Sequence, residues 1–238
     1  MHCVSAMYFL NALRQRNPEL EEAIHHNFML GQILPDLSPW NATDRRTGLI
    51  DLRHFRDPDL EISKTSHGII LLSDLSEAKR YLMRQKTTNM ETCGYLAGIF
   101  FHLHLDNDIF TDYFYKKFRF TGEKVIDNRT GRSYLPNDFI SKKGIGIYNV
   151  WDCMAFLSWG ELLDEMANLP AILPPSGFPQ YDSYRTTENW KNDMEKFANS
   201  ARFSREAIDV DYFQLHDFLL DFASKMMTSD DLFSFLVP

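Results

Sequence analysis

The sequence predicts an all-α fold, a single multi-helix domain over residues 1–238 with a small peripheral β-hairpin. Apolar residues recur at three- and four-residue spacing through most of the chain, the period of a helix with one buried face. The richest apolar run, Gly94–Leu105, is longer than an ordinary strand, yet at about a dozen residues it is shorter than a membrane-spanning helix. Phe120–Leu135 changes character, with two short runs around a turn-rich NRTG, the mark of a hairpin.

Taken in order, Val4, Met7, Tyr8, Leu10 and Leu13 place a first helix to about Gln15, with Arg14 and Arg16 at its negative end. Asn17 then reads as an N-cap and Pro18 as the first helical residue, followed by Glu19, Glu21 and Glu22 in the first turn. This second helix is expected to end near Gly31, because the two prolines of GQILPDLSPW favour extended chain and leave Asp36 in a loop. Residues 41–64 are polar, charged and aperiodic, as in a surface excursion or lid.

Thr65 or Ser66 is placed to cap a helix running from His67 through IILLSDLSEAKRYLMRQ. After a break at Thr87–Met90 comes the apolar helix, about Glu91 to Phe118, and then the hairpin. Helical period returns over Ile147–Asn168, a four-proline connection comes next, and helices at about Thr187–Phe203 and Val210–Met226 complete the chain. No repeat or composition shift marks a second domain.

Composition narrows the functional classes. With 25 Lys and Arg against 33 Asp and Glu, the chain carries a formal charge of −8, which disfavours long nucleic acids and anionic lipid as non-specific partners. Cys3, Cys93 and Cys153 are too few and too widely spaced for a disulfide framework or a thiolate metal site. The opening MHCVSAMYFLNALRQR lacks the basic region and cleavage site of a secretory signal, and no run is long enough to span a membrane. A reducing, cytoplasmic setting is the resulting expectation.

Function is sought among the eight histidines. The strongest signal is FFHLHLDNDIF, in which His102 and Asp106 stand four apart and share one helix face. His104 and Asp108 form a second such pair about 200° round the helix. Tyr95, Gly98, Ile99 and Ile109 accompany His102 and Asp106, whereas Asn107 and Thr111 accompany the other pair, so the first is preferred for a buried site. A histidine and a carboxylate in an apolar stripe are expensive to bury unless paired with each other or with a metal.

Other candidate ligands sit near chain turns: His2, Asp36 and His67, the last at an expected helix start where a neutral imidazole is favoured. Of His25 and His26, one should face outward. His54 lies in the charged excursion and is assigned no role. His216 has Tyr212, Phe213, Leu219 and Leu220 at contact spacing and no carboxylate on its face, as in a core histidine.

As an ordered set, His2, FMLGQILPDL with Asp36, KTSHG with His67, and GYLAGIFFHLHLD with His102 and Asp106 resemble the bacterial zinc-dependent phospholipase C family, related in fold to fungal zinc-dependent single-strand nucleases. The later YNVWDCMAFLSWG is similar to a tyrosine–aspartate segment of the bacterial branch and marks Asp152 as a further candidate. The resemblance implies an all-helical metal domain with His2, Asp36, His67, His102 and Asp106 as metal ligands. It further implies Asp36 and Asp106 as catalytic carboxylates, and zinc as cofactor. The stretch between Asp106 and His216 contains no histidine, which implies one or two ions rather than the family's three. The oxygen-rich ligand set would also admit manganese or iron.

The activity that the resemblance implies is hydrolysis of a small phosphoester by a metal-activated water, with Arg45, Arg46 and Arg53 meeting the phosphate. The alternative is a non-catalytic metal-stabilised helical binding protein. The His216–Asp217 dipeptide also suggests an HD-type phosphohydrolase, but that type's upstream His and downstream Asp have no counterparts here.

Overall fold

The computed structural model describes residues 2–37, 54–65, 68–121, 123–135, 139 and 212–237. These are mostly helical. Helices α1 (His2–Arg16) and α2 (Pro18–Leu37) are followed by an antiparallel pair, β1 (Arg56–Thr65) and β2 (Gly68–Ser73), then α3 (Leu75–Met83) and α4 (Met90–Asp108). The α4 rod continues as a π-helical stretch, Ile109–Phe114, and one closing turn, Tyr115–Lys117. A three-stranded antiparallel sheet comes next, β3 (Phe118–Phe120), β4 (Val125–Asp127) and β5 (Ser133–Tyr134), and the described chain closes with α5 (Tyr212–Met226) and α6 (Asp230–Leu236).

Local chemistry sets several boundaries as the sequence implies. Asn17 caps α2, its side chain accepting from Leu20 N at 3.1 Å, with Pro18 first in the helix. Asn89 caps α4 by accepting from Glu91 N and Thr92 N. The expected hairpin is β4–β5. Asp127 Oδ1 accepts from Arg129 N and Thr130 N in the NRTG turn, and Gly131 takes the positive φ (72°) that closes it.

The core gathers around α4, in which every residue from Cys93 to Leu103 is buried. Phe9 of α1 stacks on Phe28 of α2 at 5.0 Å, while Phe101 of α4 meets both and also Phe222 of α5. Phe100 packs on Phe235 of α6, so five helices share one aromatic cluster. The tightest contact is between α2 and α4. Gly31 approaches the backbone of Tyr95, Gly98 and Ile99, Gly94 sits against Ile24, and Gly98 lies under the Phe28 carbonyl.

Three expectations are corrected. Helix α2 does not end near Gly31 but continues through Pro35 to Leu37, which puts Asp36 in its last turn rather than in a loop. The local preference for extended chain before proline is modest, and packing overrides it: Gln32 is buried and its Nε2 donates to Gly98 O at 2.6 Å. The helix expected from His67 is instead strand β2 as far as Ser73, because a short apolar run such as GIILLS fits either element. The true cap is Asp74, whose side chain accepts from Glu77 N at 2.9 Å. Within the supposed excursion, Arg56–Thr65 is strand β1.

Helix α6, only seven residues long, is an addition to the expected elements. Ser229 caps it, and Lys86 closes its far end by donating to Ser234 O and Val237 O. The helices expected at 147–168 and 187–203 lie outside the described residues.

The α2–α4 approach makes a direct prediction. A Cβ on Gly98 would lie 2.2 Å from Phe28 O and 3.0 Å from Gly31 Cα, both backbone atoms that cannot swing aside. Gly98→Ala should therefore lower unfolding stability by about 3 kcal/mol, the upper end of the usual cost of overpacking. Urea titration of both proteins measures this, and an unchanged midpoint would contradict so close a helix pair.

Candidate metal centre

His2, His102 and Asp106 meet at one point. His102 and Asp106 lie one turn apart on α4, and His2 reaches them from the first residue of α1. His2 Nε2 is 3.2 Å from Asp106 Oδ1, and His102 Nε2 is 3.5 Å from Oδ2. The two imidazoles stack with centroids 3.8 Å apart and planes 11° from parallel. His102 is fully buried.

One hydrogen bond fixes the chemistry of His102. Its Nδ1 lies 2.7 Å from the carbonyl of Gln32, an acceptor only, so Nδ1 carries a proton and donates it. In a neutral ring the Nε2 lone pair then faces the Asp106 carboxylate, a repulsion that a proton on Nε2 or a cation between the two would relieve. Protonating both stacked rings would set two positive charges face to face. A single divalent ion held by His2, His102 and Asp106 would avoid this, offsetting the carboxylate without protonating either ring.

The donor set fits such an ion. Two bonds of about 2.0–2.1 Å meeting at the tetrahedral angle hold their donors roughly 3.3–3.4 Å apart. The His–Asp separations, 3.2 Å to Oδ1 and 3.5 Å to Oδ2, are each close to that value, though at different oxygens, and one donor atom from each of the three residues lies within 4.8 Å of the others. Two nitrogens and one oxygen suit zinc, and three protein ligands leave a position for water or substrate. The Nδ1–H···O=C bond from His102 is the outer contact that commonly orients a metal-binding histidine.

Burial pushes the Asp106 carboxyl up, but wherever the neighbouring His102 and His2 rings are protonated they outweigh it and hold the group well below its ordinary value of 3.8.

Of the residues expected at the site, His2, His102 and Asp106 are brought together. Asp36 has its backbone in α2, one turn beyond Gln32. His67, Asp152, Arg45, Arg46 and Arg53 lie outside the described residues. The rival pair is placed apart, as preferred from the sequence: His104 packs edge-on against Phe100, and Asp108 binds Lys225 at 2.6 Å. Burial, ahead of the opposing pull of Asp108, lowers the His104 pKa.

His26 is exposed, whereas His25 is half-buried and contacts Glu21, itself held by Arg14. His216 is not the core histidine expected. Its side chain is 40% exposed, the Tyr8 hydroxyl lies 2.5 Å from its Nε2, and Asp217 is 3.7 Å from its Nδ1.

The residue missed from sequence is His54. It is buried, its Nε2 lies 3.9 Å from Asp106 Oδ2, and its ring is 5.6 Å from that of His102. No periodicity in LRHFRDPD signals this, because long-range strand pairing brings the residue in.

A carboxyl whose folded pKa lies below its unfolded value stabilises the fold above that unfolded value, and the contribution is lost as pH falls through the folded value. In chelated protein, Asp106→Asn should therefore be less stable than wild type at pH 5–7, with the gap closing below about 3.9. Urea titrations at stepped pH test this, and a gap that widens in acid would contradict the ionised assignment.

Comparison with protein-family models, with curated proteins and with solved structures found no match to this chain.

Proposed function

We propose that this protein is a metal-dependent hydrolase of a small phosphoester, phospholipase C-like in its chemistry, with zinc the preferred ion. The observation that carries this reading is the convergence of His2 and His102 on Asp106, with His102 Nδ1 committed to the Gln32 carbonyl. His2, His102 and Asp106 would hold the ion, with Asp36 and His67 as the further ligands the family resemblance implies. When bound, the ion supplies Lewis acidity, lowering the pKa of water and offsetting charge that develops on a phosphoryl oxygen.

The chain's own groups have distinct tasks. Asp106 supplies the negative charge that offsets the ion. Asp36 is the preferred general base, orienting and deprotonating the attacking water. His102 keeps its Nδ1 proton on Gln32 O and so presents Nε2 without tautomeric ambiguity. The acidic surface, at −8 overall, favours a single phosphoester over a polymer of phosphates.

Elemental analysis of purified protein should find about one or two zinc ions per chain, and turnover of bis-p-nitrophenyl phosphate should cease on chelation and return with zinc. His102→Ala and Asp106→Ala should each lose the metal and at least about 100-fold in turnover. Full turnover in either variant overturns the assignment. Stoichiometric metal with no hydrolysis of any phosphoester offered would instead support a metal that only fastens α1 to α4.

A further inference from the structure

We propose that His54 is an additional imidazole donor of this metal centre, and that Asn107 positions it there. The proposal rests on the metal-centre reading above and adds a residue that neither the sequence motifs nor the His2/His102/Asp106 grouping contains.

The separation of 3.9 Å between His54 Nε2 and Asp106 Oδ2 is too long for a hydrogen bond. Against the roughly 3.3–3.4 Å between donors of one tetrahedral ion, His54 Nε2 would have to close in by about half an ångström on a bound ion, a shift within reach of a side-chain rotation. His54 thus stands on the Oδ2 side of Asp106 with His102, while His2 stands on the Oδ1 side. The side chain is buried, as a donor needs to be if water is not to displace it.

The chain goes to some trouble to put it there. The next residue, Phe55, has φ of 46°, the one positive φ at a non-glycine position among the described residues. For a bulky aromatic side chain this is a strained conformation of the kind that persists only where its surroundings enforce it. The Phe55 ring is buried against Tyr81 of α3, and its carbonyl accepts from Asp74 N at 2.5 Å. Beside it, Arg56 pairs with Ser73, so the ends of both strands are joined just where the chain passes from His54 and Phe55 into β1.

Asn107 closes this junction onto α4. Its Oδ1 accepts from Ser73 N at 2.7 Å, and its Nδ2 donates to Ser73 O at 2.9 Å. An amide has one acceptor and one donor suited to clamp both backbone groups of a single residue, whereas a carboxylate would satisfy only the first. Asn107 directly follows Asp106, so the helix that supplies the carboxylate also sets the position of the strand end that delivers His54. The contacts run from Asn107 to Ser73, from Ser73 and Asp74 to Arg56 and Phe55, and so to His54.

Zinc K-edge absorption spectroscopy counts the imidazoles on the ion directly, and competition with a chromogenic chelator gives the affinity. His54→Gln and Asn107→Ala should each show one imidazole fewer than wild type, with zinc affinity reduced at least about tenfold. A general loss of stability would weaken binding without removing one ring from the spectrum. An unchanged imidazole count in His54→Gln overturns the proposal, and an unchanged count in Asn107→Ala overturns the positioning role. A wild type that takes up no zinc removes both this proposal and the metal-centre reading, whereas an unchanged count in a protein that does bind zinc leaves that reading standing.

Discussion

The close approach of α2 to α4 at Gly31, Gly94 and Gly98 is the constraint on which the rest of the molecule turns. Without Cβ atoms at the crossing, the helix backbones come near enough for Gln32 to bond across the gap twice. Its side chain donates to the Gly98 carbonyl, and its own carbonyl receives the Nδ1 proton of His102 one turn further on. The second bond allows a histidine to be fully buried, and it selects the tautomer. The glycines therefore act on the chemistry as well as on the packing: a wider gap would cost core contacts and the orientation of His102 together.

Much of this is legible in the sequence wherever the signal is local. The cap at Asn17–Pro18, the apolar run that becomes α4, the hairpin around NRTG and the shared face of His102 and Asp106 all depend on residues within a turn or two of one another. What escapes a local reading depends on distant partners. Pro35 suggests a helix end, but Gln32, anchored to Gly98, carries α2 past it. GIILLS suits a helix as well as a strand until β1 pairs with it, and His54 stays anonymous until that pairing and the Phe55 conformation carry it to α4. His216 departs from expectation for the same reason, since the Tyr8 hydroxyl that meets it comes from the other end of the chain.

The way the protein treats two other carboxylates, buried Glu21 and half-buried Asp108, bears on what Asp106 requires. At the α1–α2 junction, Glu21 takes a two-pronged contact from Arg14 as well as one from His25. Burial pushes the Glu21 carboxyl up, but these two partners outweigh it and hold its pKa below the ordinary value. A permanent cation is built in there. Asp108, two residues beyond Asp106, has Lys225 at 2.6 Å. Asp106 differs: among the described residues its ion-pair partners are His2, His54 and His102, all imidazoles.

The interleaved pairs in HLHLDND make that contrast within one helix. His104 and Asp108 lie on the side where α5 supplies a lysine, and His104 is left to pack against Phe100. His102 and Asp106 face α1 and the β1–β2 junction, where the neighbours are imidazoles that carry charge only when protonated. A half-buried carboxylate among neutral imidazoles is an expensive arrangement, and in the proposed metal centre a divalent cation would offset that cost. The pair served by Lys225 needs no such ion. The same four-residue spacing thus has two settings on one helix, which differ in whether the opposing element brings its own fixed charge.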